Sequence, residues 1–288
     1  MKIHAAALVV EEGEKLRLED RPSVVAPLYE SKQAYERALV AQSSRIASLH
    51  ERMFAEGRHS LLIVLQGMDT SGKDGAIKHV MSAVNPQGCR VASFKPPTPL
   101  EKAHDFLWRV QPHLPEHGAI SVFNRSHYEA VLVERVHPKL LVAEGEDLPK
   151  HLDAFFEKRF RAICEFERHL VESGTAIVKI FLHISKAEQK KRLLERLDDE
   201  EKNWKASMAD VDERGFWKDY QRVYADALAA TSVKRAPWYV VPADDKKNAR
   251  LYVSQILLDA FDTLPLHLPK PDAERRRELK EIREKLAG

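Results

Sequence analysis

Leu61-Leu62-Ile63-Val64-Leu65-Gln66-Gly67-Met68-Asp69-Thr70-Ser71-Gly72-Lys73-Asp74-Gly75-Ala76-Ile77 is the stretch on which the reading of this chain turns. Leu61 to Gln66 is a short, nearly continuous apolar run, as expected of a strand covered on both faces. Gly67 to Lys73 fits G-x-x-x-x-G-K, and Ala76 to Val84 has helical spacing, so the glycine loop falls between a strand end and a helix start. Backbone N–H groups and the helix dipole at such a place can hold phosphate oxygens, and Lys73 adds a fixed positive charge. An ordinary glycine turn explains the two glycines but not the strand, lysine and helix around them.

Working outward, the loop breaks one rule. Asp74 stands where Ser or Thr would place a hydroxyl on Mg²⁺. Asp69, inside the loop, offers a carboxylate instead, and a hard cation that keeps several waters needs only one or two such oxygens. Asp69 with Lys73 therefore reads as a metal–phosphate site built differently from the usual one.

Beyond the loop, strands and helices alternate. Ser31 to about Gly57 carries Tyr35, Leu39, Ile46, Leu49 and Met53 at helical spacing, and residues 1–29 read as an extended arm with Pro22 and Pro27. Cys89 to Phe94 reads as a second strand, left through the stiff Lys95-Pro96-Pro97-Thr98-Pro99, with helical spacing resuming from Leu100 to Val110. Ligands of open parallel sheets collect beyond the carboxyl ends of strands, where Lys95 falls, so Lys95 is equally a phosphate contact or a solvated loop lysine. Ala119 to Phe123 is a third strand, ending in Asn124-Arg125-Ser126-His127-Tyr128-Glu129. There a phosphate-loop enzyme keeps an acid for its metal; here the position is Asn124, with Arg125 beside it able to grip a phosphoryl group with two prongs.

Further on, Pro149 to Leu170 reads as a helix stopped by Gly174, Ala176 to Ile184 as a fourth strand, and Ser185 as the cap of a helix over Ala187–Leu197. That helix carries Lys190, Lys191, Arg192 and Arg196, a basic face that is either solvated or a lid closing on phosphates. A long helix is expected from about Asp210 to Ala230, a fifth strand within Ala236–Asp244, a closing helix over Arg250–Phe261, a linker over Pro265–Pro271 and a charged helix over Asp272–Leu286. His137, His151 and His169 show no metal spacing. The expected fold class is α/β: a three-layer α/β/α sandwich on a mostly parallel five-stranded sheet. Its divisions are an arm (1–29), a phosphate-loop domain (30–265, lid about 186–210) and a C-terminal charged helix (266–288).

Composition sets the bounds. The 288 residues are 44% hydrophobic and 31% charged, enough for a sizeable core on a soluble chain, and no apolar run approaches the roughly 20 residues that span a bilayer. The N-terminus lacks a small-residue cleavage site after a signal core, and Cys89 and Cys164 are too few for a disulfide framework. The cytoplasm is the expected compartment, with no membrane partner. A net charge of +2 argues against nucleic acid, so a polyanion must be held by local clusters of Lys and Arg.

At this point a resemblance becomes specific. Gly67–Gly75 resembles the modified Walker A loop of the polyphosphate kinase 2 family, and Phe123-Asn124-Arg125-Ser126-His127-Tyr128-Glu129 resembles its Walker B segment. Ser93–Thr98, His104–Arg109, Lys191-Arg192-Leu193, Asn203-Trp204-Lys205 and Ala236–Val241 match further blocks in the same order, together covering roughly residues 15–265. The resemblance implies a thymidylate-kinase-like P-loop fold with a helical lid, reversible phosphoryl transfer between inorganic polyphosphate and nucleotides, Mg²⁺ (or Mn²⁺) as cofactor, and a homo-oligomer, often a tetramer. Many members have Asp where this chain has Asn124, and Asn where it has Glu129. This version is similar to the subgroup that accepts AMP and ADP, making ADP and ATP, with guanine nucleotides as further candidates.

The resemblance also suggests roles. Asp69, Lys73, Arg125, Glu129 and Arg192 are the catalytic candidates. Phosphate binding falls to Gly67, Thr70, Ser71, Gly72, Lys73, Asp74 and Gly75 of the loop, with Lys95, Arg109 and Arg196 outside it. Asp69 and Asn124 are the metal candidates. Glu129 is either an orienting group for metal or acceptor, or a structural partner of a nearby arginine. The rival readings are an ATP-dependent nucleoside monophosphate kinase and a non-enzymatic sensor of polyphosphate or nucleotide.

Overall fold

A computed structural model describes residues 3–143 and 149–288. Five strands, β1 (Ser60–Gln66), β2 (Cys89–Ser93), β3 (Ile120–Asn124), β4 (Thr175–His183) and β5 (Trp238–Pro242), form one parallel sheet in the order β2-β3-β1-β4-β5. The helices are α1 (Lys32–Glu56), α2 (Lys73–Val80), α3 (Pro99–Lys102), α4 (Glu129–Val136), α5 (Lys139–Ala143), α6 (Leu152–Glu172), α7 (Lys186–Asp198), α8 (Met208–Gly215), α9 (Trp217–Thr231), α10 (Lys246–Asp262) and α11 (Ala273–Ala287). Helices α1, α2 and α10 pack together on one face of the sheet, and α4, α6 and α9 on the other. This is the three-layer sandwich expected. Among the described residues no helix is long and apolar enough to cross a membrane.

Central β1 is buried at every residue, which its apolar run requires once both neighbours and both helix layers are in place. The chain turns from it to β2 and β3 on one side, then crosses to β4 and β5 on the other. The carboxyl end of β1 is thus the place where connections diverge and a crevice opens. In α1 the buried stripe is Tyr35, Leu39, Ser43, Ile46, His50 and Met53, and Gly57 ends the helix in the left-handed conformation (φ 66°).

Several boundaries differ from the sequence expectation. Helix α2 begins at Lys73, not Ala76, and ends at Val80, because the loop passes straight into its first turn through Gly72 (φ 102°). The helix expected over Leu100–Val110 is broken. Thr98 and Glu101 form a reciprocal cap on the short α3, the Asp105 carboxylate then accepts from the Leu107 N–H, and a 3₁₀ segment follows at Trp108–His113. The long helix expected from Asp210 to Ala230 is two helices, parted at Gly215-Phe216 where the Phe216 N–H closes onto Glu213 O. Helix α10 starts four residues early because Asp245 caps it, accepting from the Lys247 and Asn248 N–H groups. Helices α4 and α5 had no counterpart in the sequence reading.

The arm is not simply extended. It forms 3₁₀ turns at Ala5–Leu8 and Leu18–Asp20, bridges Val9 to Tyr239, and buries Ala5, Val10, Leu16 and Leu18 in the main core. Its later part is tied to the sheet's carboxyl edge: Ser23 donates to Asp244, Tyr29 to Asp245, and the Leu28 N–H to the Asn248 side chain.

One charged cluster lies wholly inside. Lys179 of β4 and Glu167 of α6 are fully buried and paired at 2.6 Å. The ammonium also donates to Tyr128 Oη (3.1 Å) and Thr231 O (2.7 Å), which uses all three of its protons. Tyr128 Oη donates in turn to Glu167 (2.8 Å), so the network is closed directly beneath the turn that carries Arg125.

Candidate active site

The loop between β1 and α2 is shaped by two glycines and one strained residue. Gly67 (φ 155°) admits no side chain: a Cβ there would lie 2.5 Å from Ser71 Oγ and 2.9 Å from Leu182 O. Gly72 has φ 102° and Thr70 has φ 62°, a left-handed conformation that costs an L residue about 1–2 kcal/mol. Lys73 is tucked under the loop. Its Nζ donates to Gly67 O (2.6 Å) and Met68 O (3.2 Å), and burial pushes its pKa down from 10.5 to about 8, the nearby Arg125 charge adding to the effect.

Facing the loop is the turn after β3. Arg125, also at φ 62°, reaches between two carboxylates, donating to Asp69 Oδ1 (2.7 Å) and Glu129 Oε2 (3.0 Å). Those charges, Glu129 first, hold its guanidinium above its ordinary pKa. Glu129 opens α4 and also accepts from Gln66 Nε2 (3.1 Å), whose amide donates to Ser126 as well. Tyr224 of α9 is buried close by, and loss of solvent pushes its hydroxyl pKa up.

An open cleft of about 590 Å³ lies over the loop. It gathers Asp69, Thr70, Ser71, Gly72, Lys73, Asp74, Gly75, Lys95, Asn124, Arg125, Arg192 and Arg196 from the predicted site. Gly67 lies behind the loop and does not line it. Glu129 and Arg109 line a separate small pocket with Ser126, His127 and Lys102. Arg109 is engaged with Lys95 O (2.7 Å) and Glu101 (3.3 Å). Arg196 pairs with Asp210 of α8 at 3.4 Å. Arg192 differs from the lid arginine expected of it: it is buried, and its guanidinium is bonded to Glu188 and to four backbone carbonyls.

Four cations of the cleft were missed in the sequence: Lys202, Lys205, Lys246 and Arg250. Lys205 pairs with Asp74 at 3.8 Å. Lys246 and Arg250 are four apart in the first turns of α10, directly after the carboxyl end of β5, so the strand-end rule that singled out Lys95 would have found them. Lys202 precedes and Lys205 ends a 3₁₀ turn (Asn203–Lys205) that hydrophobic periodicity does not mark, although Asn203-Trp204-Lys205 is one of the matched blocks.

The metal candidates offer hard oxygens. Asn124 donates through Nδ2 to Asp74 Oδ1 (2.7 Å), an arrangement that leaves its amide oxygen as an acceptor beside a carboxylate. Among the described residues no three His, Cys, Asp or Glu side chains cluster closely enough to share an ion. A complete protein cage is not what Mg²⁺ needs: one or two oxygens suffice where substrate phosphates and waters complete the octahedron. The donor set of Asp69 with Asn124 therefore fits the ion.

An amide-lined loop at the carboxyl end of a central parallel strand, a lysine beneath it and an arginine between two acids define a phosphate-loop phosphotransferase. The comparisons with known proteins narrow the class. The family model described as polyphosphate kinase 2 (PPK2) matches residues 29–267, and the chain belongs to that family. It is 49% identical to the ADP-polyphosphate phosphotransferase of Rhodopseudomonas palustris, over 99% of both chains. It is 47% identical to the AMP/ADP-polyphosphate phosphotransferase of Meiothermus ruber, over 84% of this chain and 86% of that one. The crystal structure of polyphosphate kinase 2 from Arthrobacter aurescens superposes with a TM-score of 0.86 at 44% identity, covering 97% of each chain.

Proposed function

We propose that this polyphosphate-dependent nucleotide kinase transfers the terminal phosphoryl group of inorganic polyphosphate reversibly to AMP and to ADP, making ADP and ATP, with Mg²⁺ as its ion. The observation that carries the reading is the cleft itself: a P-loop whose lysine is buried, ringed by Lys95, Lys202, Lys205, Lys246 and Arg250, a run of cations suited to a long anion rather than to one nucleotide. Substrates of this kind are named for the relatives from R. palustris and M. ruber.

Phosphoryl transfer requires alignment and charge compensation rather than covalent help from the protein. An oxygen of the acceptor's terminal phosphate attacks the end phosphorus of polyphosphate, and the bridging P–O bond breaks with its electrons leaving on the shortened chain. Lys73 and the amides of the loop hold the group in transit. Arg125, preset by Asp69 and Glu129, compensates charge on its equatorial oxygens, an effect worth several kcal/mol where water is excluded. The surface lysines bind the polyphosphate chain behind the reacting unit. Asp69 and Asn124 would hold Mg²⁺, which when bound shields the phosphate oxygens from one another. Glu129 sets Arg125 and borders the smaller pocket beside Ser126, from which it would orient the metal or the acceptor. Guanine nucleotides are further acceptors in this proposal. The protein acts in the cytoplasm as a homo-oligomer, a tetramer, and α11 supports assembly by exposing Leu279, Ile282 and Leu286 along one side.

The experiment offers AMP, ADP, GMP and GDP to the purified chain with Mg²⁺, using polyphosphate or ATP as donor. ATP from ADP and polyphosphate, read by luciferase, is the expected result. ADP formed from AMP only when ATP is the donor would instead identify a nucleoside monophosphate kinase.

A further inference from the structure

We infer that Arg192 is a positioning residue that holds the phosphate loop in its binding shape and does not itself touch the transferring group. The inference rests on the phosphoryl-transfer reading above. A guanidinium carries five N–H donors and no acceptor. In Arg192, Nε donates to Glu188 (2.8 Å), Nη1 to Thr70 O (3.0 Å) and Ser71 O (3.1 Å), and Nη2 to Ala243 O (2.6 Å) and Asp244 O (2.8 Å). Five donors meet five acceptors, and the residue is only 4% exposed. No N–H is left for a phosphate.

The partners explain what the bonds do. Gln189, three residues earlier on the same face of α7, donates to Asp69 O (3.4 Å), so this helix grips the carbonyls of Asp69, Thr70 and Ser71 in succession. In a trans peptide unit the C=O and N–H point in opposite directions. Drawing the Asp69 and Ser71 carbonyls to α7 therefore turns the N–H groups of Thr70 and Gly72 away from it, towards the cleft that both residues line. The Ser71 N–H closes inside the loop on Met68 O (3.1 Å). The grip also keeps Thr70 at φ 62°, which an L residue abandons unless its surroundings impose it. Helix α7 is itself anchored: Ser185 caps it, and the Ser185 N–H donates to Asp244 Oδ1 (2.7 Å), the same Asp244 whose carbonyl accepts from Arg192. Loop, α7 and the exit of β5 are one rigid corner, and the cations free to meet phosphate are others.

The test uses the full chain as R192K, R192Q, E188A and R192K/T70G, assayed with polyphosphate and ADP, alongside amide hydrogen exchange without ligand. Lysine has three donors on one nitrogen and cannot span four carbonyls, so R192K and R192Q should lose kcat/KM alike, about 100-fold, mostly through KM for polyphosphate. Exchange of the Ser71 amide should quicken about tenfold in both. Glycine adopts the left-handed conformation freely, so R192K/T70G should recover at least about fivefold over R192K. E188A, which leaves the guanidinium less restrained, should raise KM about threefold. The inference is overturned if R192K stays within about threefold of the parent, since charge alone would then suffice. It is equally overturned if the loss lies wholly in kcat with Ser71 exchange unchanged, or if E188A leaves KM unchanged or lowers it. Should the arginine variants fail to fold, E188A decides. Should the parent protein make no ATP from polyphosphate, the functional reading fails, while Ser71 exchange still decides the role of Arg192.

Discussion

Replacing Lys73 by Met removes the one charge the loop keeps under itself. Lys73 is 9% exposed and titrates near 8 in the folded chain, against an ordinary value of 10.5. Burial is the main cause, because it penalises the ammonium more than the neutral amine. The sign follows directly. Between pH 8 and 10.5 the unfolded chain binds a proton that the folded chain has released, so stability rises with pH across that window. Below it both states are protonated and folding carries the full cost of the buried charge, about 3 kcal/mol. Raising the pH from 7 to 9 recovers on the order of 1 kcal/mol of this. The assay is urea unfolding of the parent and Lys73→Met at both pH values in chelator, where groups common to the two proteins cancel in the difference. The parent should gain on the order of 1 kcal/mol more than the variant. Tripolyphosphate should reverse the shift, its binding at pH 9 drawing about one proton from the buffer, measurable by calorimetry in buffers of different ionisation enthalpy. Stability curves for parent and variant that run parallel within about 0.3 kcal/mol would refute the buried-charge argument.

Three further predictions concern the neighbours of that lysine. Asp69→Ala should abolish transfer while circular dichroism and melting stay close to the parent, since Asp69 is a partly exposed loop residue; near-normal turnover would remove it from the site. Glu129→Asn keeps an acceptor for Gln66 but loses the charge that restrains Arg125, and it should impair AMP more than ADP as acceptor. Equal losses in kcat/KM on the two nucleotides would count against a role in acceptor choice. Lys179→Met takes from buried Glu167 its ammonium partner, leaving Tyr128 and His127 beside it, and should cost about 3 kcal/mol in urea unfolding. Adding Glu167→Leu should return part of that loss, and a single-variant cost below about 1 kcal/mol would show that the pair contributes little to stability.

The fold was legible because its signals are local. The apolar run of β1, the glycine loop and the capped helices each lie within a few residues, and alternating strands and helices leave few topologies. The misplaced boundaries have local causes of a different sort. Asp105 takes a backbone N–H that a helix would have used, and Gly215-Phe216 breaks a stripe that spacing alone runs straight through. Hydrophobic periodicity does not register such side-chain competition.

By itself the sequence determined the phosphate loop, the parallel sheet and the family, because each depends on residue types at short fixed spacing. It also named most of the loop's contributions to the cleft. Only the tertiary structure decided what the distant charges do. Arg192 belongs to the loop's backbone because α7 crosses it and the exit of β5 brings two more carbonyls within reach. Lys246 and Arg250 reach the same cleft from the far end of the chain, and Lys179 finds Glu167 inside the core. The physical reason is that a charged side chain takes its role from the partners that burial gives it, and those partners are chosen by packing between segments far apart in the chain.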